Sequence, residues 1–439
     1  MNNRVYRRVR CSLVATATFL AALLPGGPAL AQGGVWIAKA PMLTPGGGAA
    51  GVAAGILYDV GGIAGCCTTL DVVQAYDPKT DSWTYKAPVP ISRIGAGAGA
   101  VDGILYVVGG AHSDAFGSPI LDSVEAYDPK TNIWTSRAPM PTPREGLGAA
   151  TVNGILYTAG GHSPSAGTTG AVEAYDPKTN TWTTSASMPT PREGLVLEAV
   201  GGILYAIGGA SPSVGTVGTV EAYDTKTNTW TTKAPMPTPR AGMAAAVVNR
   251  VIYVVGGLSP TGRALDTAEA YDPATNNWST ATPMPAARSG VGAGVVEDVL
   301  YAVGGGAFAP GGVVRFDLNQ AFSPFLMVLI DIKPGGPNNV IKLKSGGVVP
   351  VAILGSASFD ATSVDPTTVT VAGAPVALRG NGSPMTAVAD VNGDGFPDLL
   401  VYFRTRKLQL TPADTEAVLY GKTYSGEPIR GSDNVKVIN

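Results

Sequence analysis

The sequence predicts an all-β protein, a six-bladed β-propeller closed by its N-terminal strand and followed by a small β-sandwich. Three observations carry that prediction. The 439 residues include 58 Gly and 35 Pro, yet 45% are hydrophobic and only 14% charged. Such a chain is poor in helix formers but able to bury a core, and the lack of a strict Gly-X-Y period excludes collagen. The six tryptophans stand at 36, 83, 134, 182, 230 and 278, and Gly-Gly pairs start at 61, 109, 160, 208, 256 and 304. Internal repetition at a period near 48 residues, with four short strand signals per unit, is the mark of a propeller blade. Beyond about residue 325 the repeat stops and β-branched alternation takes over.

The N-terminus comes first. Arg4, Arg7, Arg8 and Arg10 precede an apolar stretch from Leu13 to Leu24 and then Ala29, Leu30 and Ala31. A basic start, an apolar run too short to span a bilayer and an A-x-A site describe a secretory signal peptide over residues 1–31. This implies a secreted, periplasmic or cell-surface protein, with no transmembrane segment after cleavage. Without the leader the formal net charge falls from −2 to −6, so a basic nucleic-acid footprint is absent. Cys11 leaves with the leader; Cys66 and Cys67 remain, either as a vicinal disulfide or as two small loop residues.

Residues 32–317 form the propeller in this reading. Each full unit reads as an apolar run ending in Leu-Tyr or Ile-Tyr and Gly-Gly, a variable loop, a Tyr-Asp step, one Trp and a Pro-rich connection. Asp102-Gly103 and Asn153-Gly154 supply the tight turns between first and second strands. These residues resemble the kelch repeat, whose marks are the double Gly, a Tyr and a Trp at fixed offsets. The sixth unit has its Gly-Gly at 304 and Phe316-Asp317 in the Tyr-Asp place but no Trp, whereas Trp36 lacks three preceding strands. The fragments complement one another, so the N-terminal strand is expected to complete the sixth blade and leave no open edge.

An Arg follows each Trp by ten residues in five units, as Arg93, Arg144, Arg192, Arg240 and Arg288, while Gly46 takes that place in the first. A residue repeated around a ring either ties blades together or lines a polar funnel that holds an anion. Glu125, Glu173, Glu221 and Glu269 repeat in the same way and point to structure. Loops joining second to third strands share a face with blade-to-blade loops, which gathers the variable residues on one rim. Candidate ligand-binding residues are therefore His112, Asp114 and His162 from the variable loops, with Arg144, Glu145, Arg192, Glu193 and Arg240 from the connections.

After a linker over 318–325, residues 326–439 read as the sandwich. Within it, Asp390, Asn392, Asp394 and Asp398 stand at loop positions 1, 3, 5 and 9 with Gly395 at 6, and the Phe396 carbonyl is a further ligand. That spacing lets a short loop wrap calcium. Position 12 is Val401, not Glu, so the loop is no EF-hand; it resembles the strand-loop-strand calcium loop of FG-GAP-type repeats. The wider stretch resembles a C-terminal module of many bacterial secreted proteins.

Function reads first as a recognition scaffold that binds a protein or glycan through the variable rim, without catalysis. The alternative is a sugar-active enzyme similar to the sialic-acid mutarotases of the kelch superfamily, using the Arg and Glu residues. A copper radical oxidase like galactose oxidase is excluded because only His112 and His162 are present, at unequal offsets after Gly-Gly. A Ser-His-Asp hydrolase fails because no nucleophile elbow exists.

Overall fold

The structure is a computed structural model and describes residues 34–64, 68–113, 119–309, 312–336 and 339–438. The leader, Cys66, Cys67 and Asp114 lie outside the described residues. Five four-stranded meanders follow one another, beginning Ala49–Ala53, Ile56–Val60, Val73–Asp77 and Ser82–Tyr85 and repeating with the sequence period. A sixth sheet contains Gly292–Val296, Val299–Val303, Asn319–Ser323 and, as its fourth strand, the N-terminal Val35–Ala38. We number these sheets as units one to six.

Each unit is held to its neighbour by the residues that make the repeat. In every unit the Trp indole donates to a carbonyl of the preceding connection: Trp83 to Ala40, Trp134 to Ala87, Trp182 to Ala138, Trp230 to Ala186 and Trp278 to Ala234, all at 2.8–2.9 Å. Trp36 does the same across 246 residues, donating to Thr282 at 2.8 Å. The hairpin turn between third and fourth strands holds an Asn in left-handed conformation, for example Asn180 at φ 55°. Its Oδ1 accepts from Tyr175 of its own unit at 2.7 Å and from the Ala138 amide of the preceding connection at 2.9 Å. Asn and Asp tolerate that conformation because a short polar side chain bonds locally. The second Gly of each pair needs its freedom: Gly110 sits at φ +94°, and a Cβ there would meet the Ile94 carbonyl at 2.7 Å.

At the N-terminal ends of the inner strands, glycines form a belt. Gly146 donates to Gly95, Gly194 to Gly146, Gly242 to Gly194 and Gly290 to Gly242, each at 2.8 Å.

Two expectations for the sixth unit are overturned. Residues 318–325 are not a linker, because Asn319–Ser323 is the third strand of that sheet. Phe316 does not take the Tyr place; Phe322 does, opposite Trp36 with ring centroids 4.9 Å apart. The connection that holds the hairpin Gly306–Ala309 with Gly312–Arg315 is as long as that of unit two and three residues longer than those of units one, three, four and five, and the Gln320, Ala321, Phe322 series then restores the in-and-out order of Glu-Ala-Tyr.

Beyond it, a five-stranded sheet and a four-stranded sheet share one core that includes Ile330, Val351, Ile353, Val371, Val401, Phe403 and Leu419. Phe325 packs on Tyr420 at 5.6 Å, and the Tyr420 hydroxyl donates to Asp298, which also lies 3.8 Å from Arg430. These contacts join the C-terminal sheets to the turn between the first two strands of unit six.

Candidate functional site

The repeated arginines are interior. Arg93, Arg144, Arg192, Arg240 and Arg288 are each 0% exposed, so Arg144, Arg192 and Arg240 cannot act as ligand-binding residues. Arg192 pairs with Glu221 at 2.5 Å and donates to the Gly208 and Ala206 carbonyls; Arg144 pairs with Glu173 at 2.7 Å, and Arg240 with Glu269 at 2.5 Å. The backbone of each Arg faces the other way. The Arg144 carbonyl accepts from Gly110 and that of Arg192 from Gly161, both in the preceding unit. One residue therefore bolts two blades, its main chain to one and its guanidinium to the next. Burial pulls these guanidiniums below their usual range, and the paired carboxylates oppose that pull.

The bolt is altered in units one and six. In unit one, Gly46 replaces Arg and Gln74 replaces Glu, with Gln74 bonded to the Thr44 backbone. In unit six Arg288 remains, but its partner is the neutral Gln320 at 2.9 Å, and burial lowers Arg288 to about 10. Unit one also buries Asp59, whose Oδ1 accepts from the Gly48 amide at 2.9 Å; burial pushes it up to about 7.

The variable rim carries the remaining candidates. Each blade-to-blade connection pairs with the loop between second and third strands, as in the reciprocal Glu145 and His162 backbone bonds at 3.0 and 2.8 Å. That pairing confirms the shared face. His162 Nδ1 lies 3.7 Å from Glu193, and both side chains are about two-fifths exposed. Glu145 is raised by burial and by Glu193, with His162 opposing. His112 is engaged elsewhere, its Nδ1 2.8 Å from the Ser92 hydroxyl. Small hairpins rise on this rim and expose Val214, Phe308, Val313 and Val314. On the opposite rim the turn side chains are spent on internal bonds, as with Asn180 and Asn228.

The loop over residues 390–398 has oxygen donors in the expected order, folded onto its own backbone. Asp390 accepts from the Gly393 and Gly395 amides at 2.7 and 2.9 Å, and Asp394 accepts from Phe396 at 2.9 Å. Asp398 is fully buried and clamps the Val391 and Gly355 amides at 2.8 and 2.7 Å. Among the described residues no three acidic, His or Cys side chains converge as a metal cluster. The hard oxygen donors fit calcium chemistry, whereas their positions here serve the turn.

Comparison with known proteins decides the nature of the repeats. Residues 95–305 match the KLHDC2/KLHL20/DRC7 Kelch-repeats domain, and residues 46–90 match the Kelch motif. These are kelch repeats. Kelch-like protein 28 of Homo sapiens is 37% identical over 111 residues, 24% of this chain and 19% of that protein. Kelch-like ECH-associated protein 1A of Danio rerio is 38% identical over 97 residues, 22% of this chain and 16% of that protein. An F-box/kelch-repeat protein of Arabidopsis thaliana is 39% identical over 108 residues, 23% and 28%. The chain thus spans less than a third of the length of these relatives. Residues 386–407 match the FG-GAP repeat.

One residue of the kelch array escaped sequence reasoning. The inner strands border a central cavity of about 450 Å³ lined by Ala, Gly, Val, Leu, Met and Thr151, and by one ionisable side chain, Glu198. Glu198 is half-buried and lines this cavity; burial raises it to about 8. The signal was present in the repeat, because Glu198 holds a place that is Gly or Ala in the other units.

Proposed function

We propose that this chain is a recognition scaffold: a six-bladed kelch propeller, closed by its N-terminal strand, that binds a protein or glycan through the rim carrying His162, Glu145, Glu193 and the exposed hairpins. The observation that carries the reading is the asymmetry between rims. One is uniform and chemically spent, while the other concentrates the residues that break the period and exposes Phe308 and Val313. Binding residues gather on loops held by a rigid frame. The name of one relative, ECH-associated, describes association with a partner and agrees with this reading. The sugar-enzyme alternative loses its anion-holding arginines to the interior.

The test is capture of extracellular protein and glycan libraries by the whole chain. A Glu145→Lys, Glu193→Lys, Phe308→Ser variant should lose what the parent captures. Loss instead in an opposite-rim variant, Lys130→Ala with Lys178→Ala and Lys226→Ala, would overturn the assignment.

The leader over residues 1–31 places the protein outside the cytoplasm in this reading, and the sandwich over residues 326–439 binds calcium in a structural role. The donor order of Asp390, Asn392, Asp394 and Asp398 and the FG-GAP match support the second point. Calcium should raise the melting temperature of the whole chain and Asp390→Ala should abolish that rise; an unchanged melting curve with calcium and with chelator would remove the metal.

A further inference from the structure

The channel presents chemistry that the rim reading does not use. Six inner strands surround it, and their middle positions are Gly51, Gly99, Ala150, Glu198, Ala246 and Gly294. Five of the six carry at most a methyl group, packed against the neighbouring unit, and the sixth carries the one carboxyl group that lines the channel. Among the described residues no protein donor bonds Glu198, whereas the buried glutamates of the bolts are paired. The flanking inner strands, Gly148–Val152 and Ala244–Val248, carry no ionisable side chain, and the paired strand Ile203–Ile207 carries only Tyr205, directly across the register from Glu198. Glu145 and Glu193 immediately precede belt glycines Gly146 and Gly194, so the mouth on the variable rim is acidic too.

A half-buried carboxylate without a protein partner gains from the arrival of a cation. Its charge selects against anions. A divalent metal needs about six oxygen ligands, and one carboxylate with the Thr151 hydroxyl cannot supply them. An ammonium or guanidinium needs one carboxylate, and the polar backbone edges that the small side chains leave open make up most of the wall around it. The volume, about 450 Å³, is within the range of small-molecule sites.

We propose that the central channel binds a small organic monocation, whose charge pairs with Glu198. The acidic mouth draws the cation in from the variable rim. Because burial holds Glu198 at about 8, the empty site is mostly protonated at neutral pH and loses its proton when the cation binds. Affinity then rises about tenfold per pH unit below about pH 8.

The experiment is calorimetric titration of the whole chain with benzyltrimethylammonium, whose charge is independent of pH, and with benzyl alcohol and benzoate as neutral and anionic controls. The expected result is saturable binding of the cation alone, tighter at about pH 8 than at about pH 6, with proton release seen as a dependence on buffer ionisation heat. Glu198→Gln should abolish binding. Glu198→Ala, which installs the residue two other units carry, should also abolish it while preserving the fold. Absence of binding at millimolar cation, equal binding of the alcohol, or binding retained in the two variants would overturn the proposal. The rim's capture of macromolecules is read separately and stands or falls without it.

Discussion

Arg192 shows how a single residue can be legible in position and illegible in role. Its ten-residue offset from Trp182 and its recurrence in five units are plain in the sequence, and recurrence favours structure. What the sequence leaves open is the direction of the side chain, because a guanidinium beside a channel and one plugged between blades share the same spacing. The structure resolves it: the group is 0% exposed and bonded to Glu221 at 2.5 Å. Removing one partner of a buried pair strands the other charge. Arg192→Ala should therefore lower stability by about 3–5 kcal/mol, measured by denaturant titration. Arg288 lacks a carboxylate, since Gln320 stands in the Glu place. Arg288→Met should be much better tolerated and can stabilise the chain. Equal losses in the two variants would show that hydrogen bonds to carbonyls, not the ion pair, hold the bolt.

Among elements, the strand Val35–Ala38 does most with least. Its residues are largely exposed and only Trp36 is anchored, by its bond to Thr282 and its contact with Phe322. The sequence reveals this strand through arithmetic, a Trp without the strands that should precede it. It misleads on the partner strand, since Phe316-Asp317 imitates the Tyr-Asp step and a connection as long as that of unit two shifts the true strand to Asn319–Ser323. In unit two the added length shows as a wider Trp spacing, whereas no Trp follows in unit six to reveal it. Trp36→Ala should lower stability by about 3–5 kcal/mol, as for other large aromatic truncations. Because it uncovers the edge of Asn319–Ser323, it should also promote self-association on light scattering. A monomer with unchanged melting temperature would mean that the strand is a passenger.

At the scale of the whole molecule, units one and six, which hold the first and last strands of the array, are the ones that lack the repeated Arg–Glu pair by sequence. Asp59 lies in unit one and Arg288 in unit six, while units three to five keep complete Arg–Glu pairs. Burial raises Asp59 from its usual value to about 7. The folded state then keeps a proton that the unfolded chain releases between about pH 4 and pH 7. Its contribution is favourable below that window and is lost as pH rises through it, by about 1.4 kcal/mol per pH unit. Asp59→Asn retains an acceptor for the Gly48 amide and cannot titrate, so its stability should decline less across the window. Parallel pH profiles for the parent and the variant would refute the assignment. The repeat, the strands and the blade order were readable because period and alternation are one-dimensional signals. The cavity was not, since its lining comes from six inner strands far apart in the sequence, and Glu198 stands out only against the Gly and Ala of the other five.

The pairing of Trp36 with Phe322 also fixes an order of events during synthesis. Translation delivers Val35–Ala38 first and Asn319–Ser323 nearly three hundred residues later, so the earliest strand must wait, unpaired, until almost the entire array has emerged. Five meanders can assemble as they appear. The last sheet cannot finish until Val35–Ala38 returns to meet it, so a message interrupted before Asn319 leaves that earliest strand without its partner.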